Sequence, residues 1–323
     1  MSMERAKIIC VGVGGCGCNI ITELSRLKVE AKTIAVNTDF AVLRRTSADI
    51  LVHIGAHRRI DATRGAGGMP TIGAEIMEEE VDRVIENIDE DTDMVIGIAG
   101  MGGGTGTGGL PTLFRHLKTE RPDTIRLAIV TLPFKAEGPL RKRNAEYGLR
   151  QIMQVSDAYI VFSNELLRRK HRFIALPEGF RMMNRIIADI VNQIVRIDEP
   201  GLMNIDFSDV RGILREGGLA FAGIGRDRRS LRLCLDKVFD CDYASVDITN
   251  AHSAVLVCEG MATKLKEEDI TYIQDIFSAK YKIANIFMAL RTRPAPQAPW
   301  LQLFTLVVGV KSNYIQSFLK GVV

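Results

Sequence analysis

Short β-branched runs alternate with amphipathic stretches through the first half of the chain. Residues 7–13, 33–36, 50–54, 93–99, 126–132 and 158–162 are nearly continuous in apolar residues, which predicts strands covered on both faces. Between them, 75–88 places Ile76, Val81, Val84, Ile85 and Ile88 on one side and acids on the other, the spacing of an amphipathic helix. Strands alternating with helices predict a mainly parallel sheet with helices on both faces. The strongest helical signal is at 178–197, where Met183, Ile186, Ile187, Ile190, Val191, Ile194 and Val195 recur every three or four residues. That helix is predicted to stop at Pro200-Gly201.

Beyond it the texture changes. A strand is expected at 219–224, a helix at 231–238, a strand at 254–259, a helix at 267–277, and strands near 283–290 and 301–310. This predicts a smaller α+β domain packed on the long helix. The Pro-rich segment 291–300 is expected to be an exposed loop between two antiparallel strands, and the glycine-rich segment 55–73 a functional loop at the sheet edge. The predicted class is therefore α/β, a Rossmann-like parallel-sheet domain over 1–177, a connecting helix over 178–198 and an α+β domain over 199–323.

Composition narrows the class of partner. With 323 residues, 46% of them hydrophobic, the chain can bury a core large enough for two domains. A net charge of +3 is too balanced to require nucleic acid, and the basic runs at 168–172 and 226–229 read as solvated surface rather than as a patch for anionic lipid or nucleic acid. The six cysteines lack paired spacing and read as reduced; the five histidines are scattered and give no zinc pattern. No apolar signal segment and no uninterrupted apolar run of spanning length occur, so the cytoplasm is the expected compartment.

The chemistry is concentrated in glycines. The run Gly100 to Gly109 follows an apolar strand and precedes Pro111, which is expected to open a helix. Glycine permits positive φ and close approach, and a helix start presents N–H groups to an anion, so this loop points to phosphate; Thr105 and Thr107 add hydroxyls, while a flexible linker is the plainer alternative. A second motif, Gly12, Gly14 and Gly17 with Asp39 after the next strand, taken alone spells a dinucleotide site. With Gly65-Ala66-Gly67-Gly68 there are three such loops, which suits a nucleoside triphosphate better than one pyrophosphate. The pattern GxxxxGK[ST] is absent, so backbone amides, Mg²⁺ and some other cation must neutralise the phosphates.

These motifs resemble the tubulin/FtsZ GTPases, and FtsZ more closely than tubulin. The resemblance runs from about residue 7 to 310 and includes Val36-Asn37-Thr38-Asp39, Val130-Thr131-Leu132-Pro133-Phe134, Glu137-Gly138 with Arg141, and Asn164-Glu165-Leu166-Leu167, in order. It implies GTP and GDP as ligands, with Mg²⁺ held mainly by phosphates and water. It implies that Gly14, Gly15, Cys16, Gly17 and Asn19 meet the α- and β-phosphates, and that Ala66, Gly67 and Gly68 sense the γ-phosphate. Gly102, Gly103, Gly104, Thr105, Gly106 and Thr107 would wrap the triphosphate, beside Pro133. Glu137 and Arg141 alone would be an ordinary i,i+4 ion pair, but the resemblance places Glu137 on ribose and Arg141 near phosphate. Asn164 alone is a turn residue and Phe180 alone is core; the resemblance puts the first on ribose or base and stacks the second on guanine.

Four positions depart from the family. Asn184 stands where Asp is usual, and its amide oxygen can still accept from the N1–H and N2–H₂ of guanine, with less margin. Cys16 and Cys18 replace glycine or another small residue, and Met69 sits in the γ-phosphate loop. Cys16 needs negative φ there, and its oxidation would be expected to impair binding.

The segment 200–210, Pro-Gly-Leu-Met-Asn-Ile-Asp-Phe-Ser-Asp-Val, follows the long helix, about 30 Å from the helix start at 1.5 Å per residue. By themselves Asp206 and Asp209 read as a helix N-cap and a solvated carboxylate. The resemblance makes them, with Asn204, the catalytic group that enters the next subunit's nucleotide site. Hydrolysis would then require head-to-tail self-assembly, in cell division or membrane and cytoskeletal organisation. A nucleotide-bound scaffold with little turnover is the alternative, and an NAD-dependent oxidoreductase keeps only the first glycine motif and Asp39. FtsZ proteins of the division ring usually continue into a linker and a peptide for membrane-tethering partners. This sequence stops at Val323, which fits either a shortened chain or a tailless paralogue.

Overall fold

The structure is a computed structural model that describes residues 5–57, 65–294 and 301–321. Two compact units are present, one from Ala6 to Val195 and the other from Arg196 onward with Arg5.

The first unit runs β1 (Ile8–Val13), α1 (Gly14–Leu27), β2 (Lys32–Asn37), α2 (Phe40–Leu43), β3 (Ile50–His53), α3 (Pro70–Ile85), β4 (Met94–Gly100) and α4 (Thr105–Glu120). It continues with β5 (Ile125–Leu132), α5 (Pro139–Val155), β6 (Ala158–Ser163), α6 (Asn164–Lys170) and α7 (Leu176–Val195). Its strands lie in the order β3-β2-β1-β4-β5-β6, all parallel. Every residue of β1, β5 and β6 is buried, as expected for strands covered by helices on both faces. The strand order reverses between β1 and β4, the place where an open α/β sheet leaves a crevice at the carboxyl ends of its strands.

Two glycine-mediated approaches set the position of α4. A Cβ on Gly97 of β4 would sit 2.5 Å from Leu110 and 2.6 Å from Phe114, so the missing side chain lets α4 lie close on the sheet. On its other side, a Cβ on Gly108 would stand 1.9 Å from the Pro70 carbonyl oxygen, and one on Gly73 2.3 Å from that of Gly104. Leu110, Leu113, Phe114 and Leu117 are then fully buried. At about 25 cal/mol per Å² of apolar area, each such side chain contributes roughly 1.5–3 kcal/mol.

Several expected boundaries shift for tertiary reasons. Pro111 does not open a helix; α4 already starts at Thr105, and Pro111 lies inside it. Glycine disfavours helix by about 1 kcal/mol per residue, and at Gly108 the close packing just described offsets that cost. The helix expected at 75–88 begins at Pro70, and Glu80, counted with its solvent-facing acids, is buried where the helix departs from regular φ/ψ. Its Oε1 accepts from the Gly55 N–H at 2.6 Å and its Oε2 from Arg83, so this carboxylate ties down the end of the edge strand. The loop expected at 55–73 is seen at 55–57 and as a turn at 65–68; residues 58–64 lie outside the described residues.

The second unit contains α8 (Phe207–Glu216), β7 (Gly218–Asp227), α9 (Leu231–Phe239), β8 (Ser253–Gly260), α10 (Glu267–Asp275), β9 (Asn285–Thr292), β10 (Leu301–Val308) and α11 (Asn313–Leu319). Its strand order is β7-β10-β8-β9, with β10 antiparallel to β7 and β8, and β9 parallel to β8. The strands flanking the Pro-rich segment, β9 and β10, are therefore not partners, because β8 lies between them. Arg291 and Thr292, expected in that loop, belong to β9, and 295–300 lie outside the described residues. Among the described residues no helix is long and apolar enough to cross a membrane.

Candidate functional site

Two helix N-termini open at the point where the strand order reverses. α1 follows β1 with no intervening residue, and α4 starts five residues after β4 ends. Neither N-cap, Val13 or Gly104, gives a side-chain hydrogen bond, and neither first turn carries an acid. The leading N–H groups of both helices are thus without side-chain acceptors and their dipoles uncompensated, which is what an anion requires. Gly14 has φ +75°, and a Cβ there would lie 2.8 Å from the Gly106 nitrogen, so the two glycine loops touch. In the 100–109 run only Gly102, at φ +123°, uses the left-handed freedom of glycine; its neighbours serve close approach instead.

A cleft of about 460 Å³ lies over these helix starts, a size suited to a nucleotide. Gly14, Gly15, Cys16, Asn19, Gly103, Gly104, Thr105, Gly106, Pro133, Glu137, Arg141, Asn164, Phe180 and Asn184 line it, as the sequence led one to expect. Six expected residues, Gly17, Ala66, Gly67, Gly68, Gly102 and Thr107, are not part of that lining. Gly17 packs beneath Gly12 and the Ile98 carbonyl, where a Cβ would come within 2.5 Å. The Thr107 hydroxyl turns inward and accepts from the Gly102 N–H at 2.8 Å, holding the loop's shape. Ala66, Gly67 and Gly68 form a turn next to Gly104, whose added Cβ would meet that of Ala66 at 2.7 Å.

The side chains at the other end of the cleft are held for contact. Glu137 and Arg141 form no ion pair: Glu137 precedes Gly138, whose φ of +91° breaks the helical path before α5 begins. Glu137 Oε1 accepts from the Phe134 N–H at 2.8 Å, while the Arg141 guanidinium lies over Gly103, 3.1 Å from where a Cβ would stand. Asn164 is 4% exposed, and its Oδ1 has no hydrogen-bond partner. A buried acceptor left unpaired costs on the order of 1–3 kcal/mol, so a donor supplied by a ligand is favoured there. Phe180 is not core: it is 39% exposed and meets Phe134 edge-to-face with ring centroids 4.9 Å apart, leaving a flat apolar surface toward the cleft. Asn184 lies one turn further along α7 on the same wall.

Cys16 lies in α1 with ordinary helical φ, so it fits where a smaller residue is usual. Desolvation raises its thiol above the usual range, with partial relief from the Thr131 hydroxyl at 3.5 Å and a further rise from the Glu137 charge. It is thus a poor thiolate, and the expected oxidative sensitivity gains no support. Asp39, the acid of the dinucleotide motif, caps α2 through the N–H groups of Ala41 and Val42 and does not line the cleft.

One positioning residue, Asn144, escaped notice in the sequence, and Thr38 stands there only as part of a motif, without a role. Asn144 Nδ2 on α5 donates to the carbonyls of Gly68 at 2.8 Å and Gly102 at 2.9 Å, clamping two glycine loops together. The Thr38 and Thr105 hydroxyls meet at 2.7 Å, tying the end of β2 to the start of α4. A polar residue on an amphipathic helix carries no distinguishing pattern.

In the second unit, Asp206 is the N-cap of α8, its Oδ1 accepting from the Ser208 N–H at 2.8 Å, and Asp209 lies in the first turn. Hydrogen bonding with Ser208 holds the Asp206 carboxyl below the usual range, so it is ionised at neutral pH. Asn204 Oδ1 accepts from the Gly201 N–H at 2.7 Å and closes the loop on itself. Among the described residues no cluster of three His, Cys, Asp or Glu could cage a metal, and the cleft's described lining holds one carboxylate, Glu137. The donor set therefore suits a cation held by phosphate oxygens and water.

The sequence pattern of the tubulin/FtsZ family GTPase domain matches residues 7–171. The chain is 35% identical to cell division protein FtsZ 1 of Pyrococcus abyssi over 96% of its own length and 83% of that protein's. Its structure superposes on an empty FtsZ dimer from M. jannaschii with a TM-score of 0.85 and 32% identity, covering 95% of this chain and 89% of that one. A GTPγS-bound protofilament of CetZ2 from Haloferax volcanii shares the fold, with a TM-score of 0.84 at 23% identity over 98% and 97% of the two chains.

Proposed function

The chain belongs to the tubulin/FtsZ family, and from that premise we propose that it binds GTP in this cleft and hydrolyses it when a second copy docks head to tail. The convergence of two uncapped helix N-termini at the sheet's crevice carries the reading, since it prepares the protein for several negative charges at one place. The γ-phosphate lies toward Ala66–Gly68, Arg141 supplies the cation that the absent P-loop lysine would have given, and Asn164 accepts a ribose or base donor. Phe180 stacks on guanine, and Asn184 accepts from its N–H edge.

The cleft's described lining offers no acid to orient an attacking water other than Glu137, one of whose oxygens is already engaged by the backbone. Asp206 and Asp209 supply that function from the adjacent subunit, with Asn204 keeping their loop in shape. A site shared head to tail uses a heterologous interface, which propagates as a filament. Phosphoryl transfer depends on positioning and charge stabilisation, so two imported carboxylates are enough to complete the site. Mg²⁺ would sit on the phosphate oxygens and water, where it neutralises charge. The names of the relatives, cell division proteins, support a role in cell division; action within the cytoplasm as a self-assembling filament is part of the same proposal.

Phosphate release and light scattering, followed with GTP, ATP and NAD over a series of protein concentrations, test this. GTP alone is expected to give both signals, and activity per chain is expected to fall steeply on dilution. Activity per chain that is independent of concentration would overturn assembly-dependent hydrolysis, while scattering without phosphate release would favour a passive scaffold. Base selection is tested at Asn184. Asn184→Leu is expected to weaken GTP binding roughly tenfold, the worth of a hydrogen bond, and to erase the preference over ATP. Asn184→Asp is expected to sharpen it, because charge-assisted bonds are stronger; unaltered selectivity in both variants would remove Asn184 from base recognition.

A further inference from the structure

We propose that Arg291 is a positioning residue for hydrolysis, strapping the base of the acidic loop onto β9. It rests on the reading that this loop completes a neighbour's site. Arg291 is 3% exposed, deep for a guanidinium. Its Nη2 donates to the Ile197 carbonyl at 2.8 Å and its Nε to the Glu199 carbonyl at 3.1 Å, so one rigid fork spans the turn from which the loop departs. Its Nη1 has no hydrogen-bond partner and stands 3.7 Å from the Glu199 carboxylate. That carboxylate is itself gripped by Arg196 through two bonds of 2.9 and 2.6 Å.

The backbone of the same strand repeats the strap one residue away. Leu290 receives the N–H groups of Leu202 at 2.7 Å and Met203 at 3.2 Å on its carbonyl, and gives its own N–H to the Met203 carbonyl at 3.0 Å. Gly201 is required at this crossing, since a Cβ would lie 2.4 Å from the Leu290 oxygen. Ile205 is buried next, and Asp206 follows directly as the cap of α8. The loop is thus fixed at its entry by residues 290 and 291 and at its exit by a buried isoleucine, with Asn204 between them bonded back to Gly201. The β9 segment is far from this loop in sequence, and a positive residue there carries no motif. Its function is to hold two carboxylates within the tolerance that in-line attack demands, where about 1 Å of misplacement can cost roughly 100-fold.

Arg291→Met and Arg291→Lys test the proposal in the full chain. Arg291→Met is expected to retain GTP binding and to lower turnover per sedimented subunit at saturating GTP by roughly 10–100-fold. Lysine, whose single nitrogen keeps the charge but lacks the rigid planar fork that spans both carbonyls, is expected to recover part of it. The decisive measurement is epistasis: in an Asp206→Ala background, Arg291→Met should cost nothing further, because its effect passes through the loop that Asp206→Ala has already disabled. Full turnover in both single variants, or losses that multiply in the double variant, would overturn the positioning role. If Arg291→Met does not fold, Arg291→Lys carries the same two readouts. Full turnover in Asp206→Ala alone would instead bring down the shared-site reading beneath it.

Discussion

Alanine at Asp206 or Asp209 is expected to lower GTP turnover by roughly 10²–10⁴-fold while leaving GTP affinity unchanged, the range for losing a group that orients or deprotonates the nucleophile. Affinity is spared because neither residue belongs to the cleft, whose described lining comes entirely from the first unit. Asp206 also caps α8, so Asp206→Ala combines two losses, the cap being worth about 1 kcal/mol. Asp206→Asn separates them, because asparagine caps as well as aspartate but carries no charge. It should restore the stability lost in Asp206→Ala without restoring turnover. The cap's own pH dependence follows from the depressed carboxyl: its contribution is present above the ordinary carboxylate range and is lost as pH falls through the lowered value. Single-turnover phosphate release with equilibrium GTP titration checks both parts. Normal turnover in Asp206→Asn and Asp209→Ala would show that the acids are structural.

Gly108→Ala is expected to be the most damaging single methyl that could be added to the first unit. The new carbon would stand 1.9 Å from the Pro70 oxygen and 2.5 Å from the Ala74 nitrogen, both backbone atoms inside a helix, so α3 and α4 would have to separate. Overpacking of this kind costs typically 1–3 kcal/mol, and more where backbone must move. Separation would also carry the Ala66–Gly68 turn away from Gly104 and disturb the phosphate end of the cleft. Gly109→Ala is the control, since its nearest neighbours are the flexible Met77 side chain and Val13, each at 3.2 Å. Relief of glycine's helical penalty of about 1 kcal/mol works in its favour. Thermal unfolding and GTP binding should show a large loss for position 108 and little change for 109. A Gly108→Ala protein that melts and binds as the parent does would refute the close packing of these helices.

Much of the site was legible from order and composition. The strands with continuous apolar runs formed the parallel sheet as expected, and fourteen of the anticipated nucleotide residues do share one cleft. Side-chain direction was not legible. Thr107 looks like a phosphate ligand in the sequence and proves to brace Gly102; Asn144 looks like surface and proves to join two loops. Short polar side chains have several local partners available, and which one wins depends on groups distant in sequence.

Local pattern determined the class of the fold, the amphipathic faces and the presence of anion-directed glycine loops, because periodicity and backbone permissiveness act within a few residues. The helical state of 105–110, the burial of Glu80, the placement of β8 between β9 and β10 and the fork of Arg291 at the base of the acidic loop were decided only in three dimensions. In the helix, at Glu80 and at Arg291, an unfavourable local choice, a glycine in a helix or a charge in the interior, is offset by packing or hydrogen bonds to a segment tens of residues away. Such terms have no signature in the local chain, since they exist only once the partner segment has arrived.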